Sequence, residues 1–191
     1  MSIRNKIIDR VKRLIFKSGL ICTIDGIFIS GIKRNNDGFE EIIGSALDLI
    51  RIHDPKRYER VKNEIDWIVN STIPGKYGGM YQRSVKACVI NFDNYSDDIK
   101  LVSAFYAGTV VHEATHGFIE TKGFEYSREN RLQIERICCS ENNRFYKRIE
   151  SFYPEYEGLL IREFVPSDWD YSWETPRWKQ LFHWLKREVK V

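Results

Sequence analysis

The chain has 191 residues, of which 42% are hydrophobic and 30% charged, a balance that predicts a soluble globular domain with its own core. A net charge of +3 is too small to predict nucleic-acid binding, and four cysteines without a C-x-x-C pair argue against a disulfide framework. Charged residues between Arg4 and Arg13 leave no apolar segment for a signal peptide, so we expect a cytoplasmic protein, with export by a signal-independent route as the alternative.

The first 18 residues predict a helix, because apolar residues recur at intervals of three and four and basic residues occupy the other side. Two arrangements are open for this helix. It can pack its apolar side on the domain, or it can lie as a basic amphipathic helix on an anionic membrane. Asp25-Gly26 then separates two β-branched runs, Leu20 to Ile24 and Ile27 to Ile32, and predicts a hairpin.

Two more helices and a strand complete the N-terminal half. Asp37-x-x-Glu40 resembles a capping box and predicts a helix to about Ile52. Asp54-Pro55 opens a second helix, which is expected to bury positions through Ile68 and to stop before Pro74. A glycine-rich loop over 75–79 leads to a predicted strand from Ser84 to Phe92.

A long helix from Ser96 or Asp97 to Lys122-Gly123 contains the strongest chemical signal. Within it, His112-Glu113-Ala-Thr-His116 has the H-E-x-x-H spacing of zinc hydrolases. Residues four apart stack on one helix face, so both imidazoles can bind one Zn²⁺ ion. Glu113 lies about 100° away round the helix, where its carboxylate can act as general base on a metal-activated water. The alternative is two histidines that only satisfy buried hydrogen bonds.

A catalytic zinc site needs a third protein ligand. The sequence resembles the gluzincin branch of the zincin metallopeptidases, in which a second helix supplies a glutamate about twenty residues after the motif. Here eighteen residues separate His116 from Glu135, and the resemblance covers positions 97 to 146. It implies His112, His116 and Glu135 as metal ligands, Glu113 as the catalytic residue and Zn²⁺ as the cofactor.

The surroundings of Glu135 depart from that family, because Cys139 stands where an aspartate is expected. Glu141 or a cysteine thiolate therefore remains an alternative third ligand. In a second alternative, the Glu135 side chain points inward, forms an ion pair with Arg131 or Arg136 and binds no metal. Ser127 is expected to cap this helix, which runs from about 128 to 153 and ends before Pro154.

We expect one α+β domain over 1–191, with a small antiparallel or mixed sheet. It comprises an N-terminal α/β part over 1–95, zinc-site helices over 96–153 and an aromatic helical part over 154–191, whose final helix begins near Thr175. The resemblance implies a zincin-like fold with an active-site helix. It also makes 85–92 a candidate edge strand that pairs with an extended substrate, although an ordinary core strand is equally open.

The expected function is zinc-dependent peptide-bond hydrolysis, with a peptide or protein as the substrate. The alternative is a non-catalytic interaction domain that retains a zincin-like metal-binding fold. A developing oxyanion needs a further hydrogen-bond donor. The candidates from the sequence are Tyr146, Tyr153, Tyr156 and His183.

Overall fold

The computed structural model describes residues 3–33, 36–73, 78–92, 98–161 and 163–166. These residues form an α+β fold with ten regular elements, in chain order α1 Ile3–Ser18, β1 Leu20–Ile24, β2 Ile27–Gly31, α2 Phe39–His53, α3 Pro55–Glu64, β3 Trp67–Asn70, β4 Gly79–Gln82, β5 Ala87–Ile90, α4 Ile99–Thr121 and α5 Arg131–Glu150. Two short 3₁₀ turns, Arg83–Val85 and Pro154–Tyr156, follow β4 and α5. Among the described helices, none combines the length and apolar content that a membrane span requires.

The five strands form one mixed sheet in the order β1-β2-β3-β5-β4. The outer pairs, β1 with β2 and β4 with β5, are antiparallel, whereas β2, β3 and β5 run parallel. The predicted hairpin is confirmed, and its turn residues Asp25 and Gly26 have φ angles of 48° and 87°. Both turn residues therefore have the positive φ that two-residue hairpin turns favour.

The sequence prediction was wrong for the middle of the sheet. The helix opened by Asp54-Pro55 ends at Glu64, and Trp67–Asn70, which was expected to continue it, forms the fully buried strand β3. Strand β4 was not predicted, because only its first residue, Gly79, lies in the predicted loop and the predicted strand begins at Ser84. The predicted strand over 84–92 is reduced to β5, which lies between β3 and β4 and is buried throughout, so the edge strand is β4 and not the segment 85–92.

The cap of α3 is confirmed, because the side chain of Asp54 accepts a hydrogen bond from the backbone N–H of Arg57. Three other helix starts lie one to three residues beyond their predicted positions. The N-cap residues are Gly38 for α2, Asp98 for α4 and Asn130 for α5. The predicted final helix from Thr175 lies outside the described residues.

Helices α2 to α5 cover one face of the sheet, and the other face is buried by a smaller cluster that includes Phe16 of α1. Helix α4 is buried on nearly every side because its sequence is apolar all round. Helix α5 packs tightly on α4 at Gly108, where a Cβ atom would overlap the Tyr146 ring. This close contact places the inner face of α5 opposite the histidines one and two turns further along α4.

Candidate metal centre

Helix α4 brings the two histidines of the motif together on the side that faces α5. The Nε2 atoms of His112 and His116 lie 3.2 Å apart. Both rings are largely buried, with 11% of each side chain exposed. The four-residue spacing within a continuous helix is sufficient to produce this arrangement.

Helix α5 places Glu135 against both histidines. Its Oε2 atom is 3.2 Å from Nε2 of His112 and 3.5 Å from Nε2 of His116. The hydroxyl of Tyr126, in the connection between the two helices, donates a hydrogen bond of 2.7 Å to the other carboxylate oxygen. Burial alone would raise the pKa of Glu135, but the hydrogen bonds and charges of the histidines hold it well below its ordinary value.

The distances among these three donor atoms fit a tetrahedral zinc ion. Bonds of about 2.1 Å at tetrahedral angles separate the ligand atoms by about 3.4 Å. The observed separations are 3.2, 3.2 and 3.5 Å. Two imidazoles and a carboxylate also form a ligand set used by catalytic zinc. The residues present therefore fit a zinc ion in both geometry and chemistry.

A fourth donor, Cys138, lies beside this set; the sequence named a cysteine thiolate as an alternative ligand without selecting Cys138. Its Sγ atom and the ligand nitrogens of His112 and His116 all lie within 4.8 Å of one another. Cys138 is fully buried and follows Glu135 by three residues, so both side chains occupy the same face of α5. The three-residue spacing between Glu135 and Cys138 was the sequence signal that could have identified Cys138 as a candidate ligand. A thiolate bound to tetrahedral zinc would lie about 3.6 Å from each nitrogen.

Glu113 lies against strand β4 at Gly79. The backbone N–H of Tyr81 donates a hydrogen bond to its carboxylate. Burial raises the pKa of Glu113 to about 7, while His112 and this hydrogen bond act in the opposite direction. A Cβ atom at Gly79 would lie 2.8 Å from Oε1 of Glu113 and 2.6 Å from Cγ2 of Thr109. Glycine at this position therefore lets the edge strand lie directly against the carboxylate.

Of the alternative ligands named from the sequence, Glu141 is held by arginines, and Cys138 is the cysteine grouped with the two histidines. Glu141 forms ion pairs with Arg57, Arg60 and Arg144 at 3.2, 3.0 and 2.7 Å. Burial of the Cys139 thiol raises its pKa to about 12. Arg136, one of the proposed partners of Glu135, lies over the ring of Phe164 instead. The structure thus brings Glu135, rather than Glu141, to the two histidines.

The candidate oxyanion donors are not brought to the histidines. Tyr146 donates to the carbonyl of Phe105, and Tyr156 donates to Asp98 at the start of α4. Those positions lie about 10 and 20 Å from His112 along the helix axis. Tyr153 packs with Tyr156, and His183 lies outside the described residues. Tyr126 is instead a tyrosine that the structure places at the site, with its ring centroid 5.6 Å from that of His116.

The chain was compared with known protein families, with curated proteins and with solved structures, and none of the three comparisons found a match.

Proposed function

We propose that the protein is a zinc-dependent metallopeptidase with a zincin-like arrangement of active-site helix and edge strand. The observation that carries this proposal is the convergence of His112, His116 and Glu135 with ligand separations that suit zinc, while Glu113 of the same helix is buried next to them. A site that only stabilised the fold would not need a carboxylate beside its histidines.

Bound zinc would supply a Lewis acid and lower the pKa of a coordinated water. The residues of the chain would perform the remaining tasks. Glu113 would accept a proton from the attacking water and return it to the leaving amine. Tyr126, through its 2.7 Å hydrogen bond, would fix the carboxylate of Glu135 so that the other oxygen faces the metal. The burial of these groups would limit access of bulk water to the reacting atoms.

Strand β4 is the proposed substrate strand. It is the terminal strand of the sheet next to α4, and its residues are partly exposed, unlike the fully buried β5. An extended peptide can add to such an edge through backbone hydrogen bonds. Because Tyr81 donates to Glu113, a peptide placed along β4 would pass close to the proposed base.

One observation favours a second candidate, a non-catalytic domain with a structural metal site. If Cys138 joined the two histidines and Glu135, four protein ligands would close the zinc coordination and leave no position for water. The Cys138 thiol and a nitrogen of each histidine lie within 4.8 Å of one another, a range that includes the spacing of about 3.6 Å expected for a bound thiolate. We favour the catalytic arrangement because a closed structural site would not need the buried Glu113 carboxylate beside its histidines.

The test is a comparison of Glu113→Gln with Glu120→Gln, a control glutamate on the same helix that pairs with Arg83. We expect Glu113→Gln to retain zinc and to lose at least about 10²-fold in peptide turnover, because only a general base is removed. Glu120→Gln should behave as wild type. A library of extended peptides with and without a zinc chelator provides the assay. Zinc binding with no turnover by wild type would support the second candidate, and turnover of non-peptide amides alone would indicate another class of hydrolase.

A further inference from the structure

An amphipathic helix on a globular domain is expected to bury its apolar residues, but helix α1 leaves most of them exposed. Its apolar residues Ile7, Ile8, Val11, Leu14 and Ile15 are 43–59% exposed. At about 100° per residue these five side chains occupy one arc of about 120°, which forms a stripe along the helix. We call this set the apolar stripe. It extends about 12 Å along the helix axis.

The side of α1 that contacts the domain is a different one. Phe16 is buried against Trp67, with ring centroids 5.8 Å apart, and the hydroxyl of Ser30 donates to the carbonyl of Phe16 at 2.7 Å. Asp9 and Lys12 are the other partly covered positions on this side. Around the helix axis, the side chains of these three residues are centred roughly 130° from the centre of the apolar stripe. The sequence alternative in which the apolar side packs on the domain is therefore wrong for the described residues.

The charge of α1 specifies the kind of surface that would cover the stripe. The helix has six basic residues and one acidic residue, Asp9. Lys6, Arg10, Arg13 and Lys17 are exposed and lie along one flank of the stripe. A helix with an apolar stripe, basic flanking residues and low overall hydrophobicity is suited to the interface of an anionic bilayer. A second protein surface would need a matching acidic border as well as an apolar groove.

We propose that α1 is a membrane-docking helix that lies along an anionic lipid surface, with the apolar stripe in the headgroup region and the basic flank over acidic headgroups. The anchor at Phe16 holds the helix on the sheet while the stripe stays free to insert. This inference depends on the exposure and charge of α1 and not on the metal site.

The experiment measures flotation of the full chain with vesicles of phosphatidylcholine alone and of phosphatidylcholine mixed with phosphatidylglycerol. We expect binding to the mixed vesicles only, weakened by salt. Leu14→Ser should lower the partition coefficient at least roughly tenfold, because an inserted leucine is lost. Lys17→Gln should lower it roughly fivefold, the effect expected for one basic residue near an anionic surface.

Matched controls are Leu159→Ser and Lys147→Gln, because both residues are exposed and distant in sequence from α1. Both controls should bind as wild type does. Since Leu14 is 59% exposed, its replacement should leave the unfolding temperature unchanged, which separates lost docking from lost folding. Equal binding to both vesicle types, or no binding by wild type, would overturn the proposal. In the latter case, a concentration-dependent dimer abolished by Leu14→Ser would identify a second copy of the chain as the occupant.

Discussion

Gly79→Ala adds a single methyl group where the edge strand meets the proposed base. The new Cβ would lie 2.6 Å from Cγ2 of Thr109 and 2.8 Å from Oε1 of Glu113. Ordinary carbon contacts are about 3.5–4.0 Å, so one of the partners must move by about 1 Å. The glutamate side chain can rotate, whereas the branched threonine is stiff at χ1 and sits on a buried helix. Strand β4 and Glu113 are therefore expected to shift.

We expect this overpacking to lower the free energy of unfolding by about 1–3 kcal/mol and the melting temperature by on the order of 2–10 °C. Misplacement of Glu113 by about 1 Å should reduce peptide turnover on the order of 10²-fold. Zinc affinity should stay unchanged, because no ligand is touched. Thermal unfolding, zinc titration and peptide hydrolysis measured on the same preparation separate these three effects.

Gly78→Ala is the matched control, since its Cβ would meet only ordinary contacts, the nearest at 3.6 Å from Phe105. Thr109→Ser provides a rescue in the Gly79→Ala background. It removes the clashing methyl group and keeps the hydroxyl that donates to the carbonyl of Phe105. The double variant should regain part of the lost stability, because the close contact with Glu113 remains. A Gly79→Ala protein with wild-type stability and turnover would refute the packing argument.

Two further predictions concern α5. X-ray absorption of the zinc-loaded wild type should show no sulfur ligand at about 2.3 Å from zinc. Cys138→Ser and Cys139→Ser should give the same spectrum as wild type. A sulfur ligand that is present in wild type and lost only in Cys138→Ser would instead support the structural site with four protein ligands. Glu141→Gln should lower the free energy of unfolding of the metal-free protein by about 1 kcal/mol at pH 7. This loss lies between the small effect of removing an exposed ion pair and the larger effect of breaking a buried one. Burial opposes ionisation of Glu141, but its arginine partners hold its pKa below the ordinary 4.5, so this difference should disappear as pH falls through that depressed value. A difference that persists in acid would exclude the charge as its origin.

The sequence predicted the parts of the site that depend on local spacing. His112 and His116 share a helix face because they are four residues apart, and the eighteen-residue separation between His116 and Glu135 favoured Glu135 over Glu141 through its resemblance to the gluzincin spacing. The sequence could not show what holds Glu141, because two of its partners come from another element. Arg57 and Arg60 of α3 surround Glu141, which no pattern in α5 could indicate.

The errors in the sheet and in α1 have a common physical origin. Trp67–Asn70 is a short apolar run that fits either a buried strand or the end of a helix, and its pairing with β2 and β5 decides the outcome. Strand β4 begins with glycine and is defined by its pairing with β5. For α1, periodicity identifies which residues share a face, but only tertiary contacts show that Phe16, and not the apolar stripe, faces the domain.

The proposed metal centre is tested most directly by a competition titration of zinc against a chromogenic chelator, with wild type, Glu135→Ala and Glu141→Ala measured in parallel. We predict one tightly bound zinc per wild-type chain. Glu135→Ala should lose more affinity than the roughly 10- to 100-fold expected for an outer-shell partner, and Glu141→Ala should remain near wild type. Wild-type protein without stoichiometric zinc, or a greater loss in Glu141→Ala than in Glu135→Ala, would contradict the proposed centre.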